Sequence, residues 1–224
     1  MRRALVVGIN NYPTAPLAGC VNDAGDWAKV LQARGFNVKK MLNRQATGKA
    51  MREAVAIPVT VKTRLGVDQH ESYPWFSDFV GRVAESGCAV FIVHARKAWL
   101  SGLSPKENRE VPELRYDWVY RLKRENPGLT VILNGGVGSV AEVERHLREV
   151  DGVMLGRAAY HDPWLLTELQ ARLFAQPGPA SREAAAEALT AYLRVQVGRG
   201  VAATHVCRHA LGLFQGQPGA RRWR

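Results

Sequence analysis

Short apolar blocks alternate with amphipathic stretches along the chain. Residues 3–7 form an apolar, β-like run that stops at Gly8-Ile9-Asn10-Asn11-Tyr12-Pro13, a turn-rich exit from a buried strand. Ala24, Trp27, Ala28, Val30 and Leu31 then recur near helical spacing, with Asn22-Asp23 as the expected cap and Gly35 as the stop. Residues 36–42 read as a second strand, and the crossover rule pairs the two strands of this β-α-β unit in parallel. From Ile57 onward the alternation continues, with strands at 58–62, 89–93, 130–134 and 152–155 separated by helical patterns at 75–85, 116–124 and 140–148. That is the pattern of a parallel α/β sheet or barrel. Past Tyr160 the strands stop, and helices at 163–174 and 181–198, separated by Gln176-Pro177-Gly178-Pro179, predict a small helical C-terminal domain.

A chain of 224 residues, 46% hydrophobic and 23% charged, has the balance of a folded globular protein and excludes disordered, collagen-like and coiled-coil classes. No apolar run approaches the roughly 18 residues of a membrane span, and the apolar stretch after Arg2-Arg3 is too short for a secretory leader. A cytoplasmic protein with no membrane partner is expected. The three cysteines, Cys20, Cys88 and Cys207, fit neither a disulfide framework nor a zinc spacing, which agrees with a reducing compartment. Charge changes the picture most. Lys and Arg number 31 against 20 acids, a net +11, so nucleic acid is the first partner to consider, with a merely solvating basic surface as the equal alternative.

In a parallel α/β fold ligands sit at the carboxyl ends of the strands. Here the four later strands end in Val61-Lys62-Thr63-Arg64, His94-Ala95-Arg96, Asn134-Gly135-Gly136 and Gly156-Arg157. A single strand-end Lys is usually solvated and a single His usually satisfies a core hydrogen bond, but four polar or glycine ends on consecutive strands point to a site. Gly135-Gly136, ahead of a helix opened by Ser139, makes a turn whose N–H groups suit a phosphate, and Arg157 supplies a matching cation. Gly136-Val137-Gly138-Ser139-Val140-Ala141 also fits the dinucleotide fingerprint G-x-G-x-x-A. The next strand ends in Arg157 rather than an acid for a ribose, which argues against NAD and is tolerable for NADP.

Residues 49–224 closely resemble the C-terminal part of A-type tRNA-dihydrouridine synthases. The resemblance runs through Ile57 to Arg64, through His94-Ala95-Arg96-Lys97-Ala98-Trp99-Leu100-Ser101-Gly102-Leu103-Ser104-Pro105-Lys106-Glu107-Asn108-Arg109, through Asn134-Gly135-Gly136, and closes with Arg208-His209-Ala210-Leu211-Gly212-Leu213-Phe214-Gln215-Gly216. It implies a TIM barrel with FMN, a helical domain, and NADPH-dependent reduction of uridine in tRNA. By this resemblance Lys62 and His94 contact the flavin, while Asn134, Gly135, Gly136, Gly156 and Arg157 hold its phosphate. Cations for the RNA are expected at Arg96, Lys97, Lys106, Arg109, Arg208 and Arg221. Trp99 and Trp223 would stack on bases or pack inside the protein. His205 and His209, one helical turn apart, lack a third metal ligand, so no metal site is expected. The family protonates C5 of the uridine from a cysteine in an Asn-x-x-Cys-Pro loop, and this sequence has no such loop.

The opening, Arg3-Ala4-Leu5-Val6-Val7-Gly8-Ile9-Asn10-Asn11-Tyr12-Pro13 followed by Leu17-Ala18-Gly19-Cys20-Val21-Asn22-Asp23-Ala24, resembles the start of a metacaspase-type caspase-fold peptidase. That family's Cys-His dyad contexts are absent, so peptidase activity is not expected. The sequence therefore divides into a caspase-like β-α-β fragment (1–46), the last four β/α units of a TIM barrel (49–175) and a truncated helical tRNA-binding domain (180–224), joined between Asn43 and Met51. The β-α-β unit is in a position to extend the four barrel strands into a six-stranded open sheet. The function expected is that of a flavoprotein like the dihydrouridine synthases with impaired catalysis. The alternative is a non-catalytic RNA-binding or chimeric protein.

Overall fold

The computed structural model describes residues 2–11, 18–55 and 57–223; Tyr12, Pro13 and Leu17 of the caspase-like motif lie outside the described residues. The N-terminal unit is β1 (Arg2–Gly8), α1 (Cys20–Ala33) and β2 (Phe36–Leu42), with β1 and β2 parallel in register from Arg2↔Phe36 to Gly8↔Leu42. Ala24 and Ala28 bury α1 against the strands, and a Cβ at Gly8 would stand 2.3 Å from the Cys20 carbonyl oxygen. Only glycine permits that approach of strand end to helix. The helix begins before the expected Asn22-Asp23 cap, because its cap is not local: Asn10 at the strand exit accepts the Val21 N–H through Oδ1 at 3.0 Å.

The second sheet holds β3 (Thr60–Arg64), β4 (Val90–His94), β5 (Thr130–Asn134) and β6 (Gly152–Met154), all parallel in the order β3-β4-β5-β6. This is a mixed α/β fold carrying part of a TIM barrel. Among the described residues the sheet does not close, and β3 and β6 are its edges. The six-stranded sheet does not form; β1-β2 stays separate, because the connection winds into α2 (Gly48–Glu53), capped by Thr47 accepting the Ala50 N–H at 3.1 Å. Its Gly48 and Arg52 pack against Ser86 and Gly87, at the start of the turn into β4.

The helices between the later strands are α3 (Tyr73–Glu85), α4 (Tyr116–Glu125) and α5 (Val140–His146). Ser72 caps α3 at the Trp75 N–H and Pro74 suits its first turn, so α3 starts two residues before the periodicity predicted. After β6 come α6 (Arg157–His161) and α7 (Trp164–Phe174), which ends on the left-handed Ala175, φ 50°. Then follow α8 (Arg182–Gly198), α9 (Ala203–Cys207) and α10 (Ala220–Trp223).

The core lies between the four strands and their helices. Phe91 and Val93 of β4 and Val131 and Leu133 of β5 are fully buried against Phe76, Val80, Val119, Leu122 and Val143. Burial of side chains this large stabilises the layer by about 1.5–3 kcal/mol each. Apolar grooves of about 590 and 800 Å³ flank the edge strands β3 and β6. Among the described residues no helix is long and apolar enough to cross a membrane.

Candidate functional site

The parallel register fixes the site. Arg64 lies opposite His94, His94 opposite Asn134, and Asn134 opposite Met154, so four strand-end residues form one row across the sheet. One step below them runs Lys62, Ile92, Ile132 and Gly152. Above the row opens a cavity of about 340 Å³, walled by His94, Asn134, Gly135, Gly136, Gly156 and Arg157 together with Met154, Arg109 and His161. Six of the seven residues predicted to hold a cofactor thus share one cavity, and Lys62 stands exposed beside it, below Arg64.

The glycines are required by shape. Gly135 and Gly136 have φ of +114° and +73°, and a Cβ would stand 2.6 Å from His94 Cδ2 at the first and 2.7 Å from Leu114 Cδ1 at the second. The Tyr116 hydroxyl fixes the turn by donating to the Gly135 carbonyl at 2.7 Å. Behind it the Tyr116 ring packs edge-on to the buried His146, which bonds the Tyr120 hydroxyl at 2.6 Å. A Cβ at Gly156 would meet nothing within 4 Å, so the wall opposite the turn is open. The start of the helix opened by Ser139 is partly occupied by the protein itself. Glu142 already accepts the Gly138 N–H at 2.8 Å and faces the Ser139 hydroxyl at 3.2 Å, so that helix start is capped by its own carboxylate. The cavity itself opens between Gly135-Gly136 and Gly156-Arg157.

Cations dominate this end of the sheet. Burial, then Arg64, Lys62, Arg96 and Arg157, push the His94 imidazole down to about 4, so it is neutral at pH 7. Burial and then Arg64 lower Lys62, and burial followed by Arg96 and Arg109 lowers Arg64. Asn134 donates through Nδ2 to the Met154 carbonyl at 2.8 Å, which leaves its side-chain oxygen as the group to offer a ligand.

Three arginines tether the segment that follows β4. Arg64 donates to the carbonyls of Lys97 (2.7 Å) and Asn108 (2.8 Å), Arg96 to those of Glu110 (3.0 Å) and Pro112, and Arg157 to that of Arg109 (3.3 Å). Arg157 also pairs with the Glu110 carboxylate at 2.5 Å. Three of the six residues expected to meet RNA are engaged within the protein: Arg96 holds this segment, Lys97 pairs with Glu71 beneath the cover of the Trp99 ring, and Arg208 donates through Nε to His209 Nε2 at 3.1 Å. Lys106, Arg109, Arg208 and Arg221 are exposed, Arg109 at the cavity and Arg208 against His209. The Trp223 indole donates to the Ala210 carbonyl and packs on Phe214, the packing outcome of its two readings. His209 contacts the Tyr160 hydroxyl at 3.2 Å, and α9 ends before reaching it, so His205 and His209 do not share one helix.

None of the three cysteines lines the cavity. Cys88 is buried at the opposite end of β4, six residues before His94 or about 20 Å along an extended chain, with Val59 and Val90 carbonyls as its neighbours. Among the described residues no group of three His, Cys, Asp or Glu is placed to hold a metal.

Sequence reasoning missed four cavity-side residues. Met154 was accessible from the parallel register, since it follows Asn134 in the row. His161 sits one helical turn after Arg157, a spacing the sequence displays. Arg64 stood in a quoted motif yet had no assigned role. Glu110 had no local signal at all, because its partner is 47 residues away.

A family model described as dihydrouridine synthase matches residues 43–224, and one described as the caspase domain matches residues 1–62. Among curated proteins, the tRNA-dihydrouridine(20/20a) synthase of Yersinia pestis is 56% identical over 178 residues, 79% of this chain and 52% of that protein. The protein of the same name in Xanthomonas campestris pv. campestris is 55% identical over 175 residues, 78% of this chain and 52% of its own length. That of Salmonella typhimurium is 52% identical over 178 residues, with 79% and 54% covered. The chain spans about half the length of the curated relatives it matches.

Proposed function

The chain belongs, through residues 43–224, to the dihydrouridine synthase family, and on that premise we propose that its cavity holds the phosphate and adjoining ring of FMN against a surface that meets tRNA. The observation that carries this reading is the convergence of the Gly135-Gly136 turn, Gly156 and Arg157 on one cavity above the His94-Asn134 row. Glycine walls admit an oxygen-rich group close to the backbone, and an arginine matches phosphate with a planar fork of donors. The donor set and the space fit a phosphate ester.

When bound, the flavin supplies hydride, drawn from NADPH, for C6 of a uridine. The chain's own residues bind and orient. Arg157 and the glycine turn fix the phosphate end, while the neutral His94 and the Asn134 oxygen offer hydrogen bonds without adding charge. Lys62 brings a cation beside them whose proton is held less firmly than in water. Exposed Lys106, Arg109, Arg208 and Arg221 draw the RNA backbone to the protein surface.

We infer that the family's cysteine donor for C5 is missing, a reading supported by the lack of an Asn-x-x-Cys-Pro loop and by the place of Cys20, Cys88 and Cys207 outside the cavity lining. Catalysis by this chain is accordingly impaired. A second reading, a non-catalytic RNA-binding protein, draws on the same absence. Purified protein, mixed with FMN and freed of excess, should retain flavin absorbance between about 350 and 500 nm. Turnover of unmodified tRNA with FMN and NADPH saturating should stay undetectable. Colourless protein that still retains tRNA would establish the second reading, and normal turnover would overturn the loss of the proton donor.

A further inference from the structure

The arginine on which the phosphate reading depends is already taken. Arg157 faces the Glu110 carboxylate at 2.5 Å and gives its other terminal nitrogen to the Arg109 carbonyl at 3.3 Å. Both side chains of the pair are nearly half exposed, 47% and 46%, so the pair stands at the rim of the cavity. Glu110 is placed there by backbone. Arg96 holds its carbonyl at 3.0 Å and Arg64 holds that of Asn108, so the carboxylate is presented to Arg157 by a segment tied at both ends. Arg109, the residue before it, lines the same cavity.

Resting on the reading of this cavity as a phosphate site, the geometry points to Glu110 as the residue that selects which anions enter it: an internal carboxylate that occupies Arg157 until a dianionic phosphate monoester displaces it. An exposed pair exchanges partners at little cost. A ligand with one negative charge only replaces Glu110 and gains nothing. A phosphate monoester carries close to two charges and three acceptor oxygens, so it can take Arg157 and the neighbouring Arg109 together. The phosphodiesters of RNA carry one charge each. On a protein of net charge +11 the cavity would otherwise attract the RNA backbone into the place of the cofactor's phosphate. Glu110 thus sets the threshold that either anionic ligand must exceed to take Arg157, and the dianion clears it first.

The test compares wild type with Glu110→Gln by titrating FMN, riboflavin and an oligouridylate at fixed ionic strength, following flavin fluorescence. FMN should bind about two- to fivefold more tightly to the variant, the range of an exposed ion pair. Riboflavin, which lacks the phosphate, should bind both proteins alike, and oligouridylate should compete with sub-saturating FMN at lower concentration on the variant than on wild type. Glu110→Ala should shift FMN in the same direction. Unchanged or weaker FMN binding in both variants overturns the inference, as does a parallel shift of FMN and riboflavin, which would make Glu110 a prop of the segment. Arg157→Ala separates the levels. FMN binding that responds to Arg157 but not to Glu110 removes only this inference, whereas FMN binding indifferent to Arg157, or absent, removes the phosphate site as well.

Discussion

Along β4 and β5 consecutive side chains live in two environments. Phe91, Val93, Val131 and Leu133 point into the helix layer and are fully buried, while Ile92, Ile132, His94 and Asn134 alternate with them on the other face and keep part of their surface. A closed barrel would cover that second face, and here it borders the cavity and the open edges of the sheet. One strand therefore does two jobs by parity. Its buried set stabilises the fold and its other set is free to carry ligand chemistry.

The largest effect that would test this division is Phe91→Ala, expected to cost about 3–5 kcal/mol in chemical denaturation because a large cavity opens in a fully packed layer. Ile92→Ala, one residue away, should cost less than about 2 kcal/mol, since the apolar surface it removes from the packed interior is smaller. Equal losses would break the comparison. Next is Arg157→Ala, which should weaken FMN binding by about 1.5–3 kcal/mol, the scale of a charge-assisted hydrogen bond, and lower the midpoint of unfolding only slightly, because the pair it makes with Glu110 is half exposed. The smallest effect is electrostatic. His94 is held at about 4 against an ordinary 6.5, so the unfolded chain binds the extra proton between those values and stability should fall as pH drops through that window. His94 is only half-buried, so solvent screening keeps the slope well below the one-proton limit of about 1.4 kcal/mol per pH unit. His94→Gln should flatten it, and an unchanged slope would place the titrating group elsewhere.

The sequence makes the buried parity legible. Val90 to Val93 and Thr130 to Leu133 are β-branched and apolar runs bounded by turn residues, and the strand ends carry their chemistry in adjacent letters. The glycine turn was legible for the same reason, because positive φ leaves a residue-type signature. What was not legible is joined over distance or too short for periodicity. The cap of α1 comes from Asn10, eleven residues before Val21. The helix Arg157–His161 has five residues, less than two turns, and shows no stripe. The commitment of Arg96 and Lys97 to Glu110, Pro112 and Glu71 needed the path of the chain, since in sequence they look like free cations.

The arginine tethers have a further consequence. Arg64, Arg96 and Arg157 grasp the segment after β4 through main-chain carbonyls of Lys97, Asn108, Arg109, Glu110 and Pro112. A carbonyl is the same acceptor whatever side chain it belongs to. Much of the course of this segment is thereby insulated from its spelling: side chains at exposed positions such as Leu100, Ser101 and Val111 are free to drift through evolution, or to be rewritten by an engineer, without moving the backbone that frames the cavity.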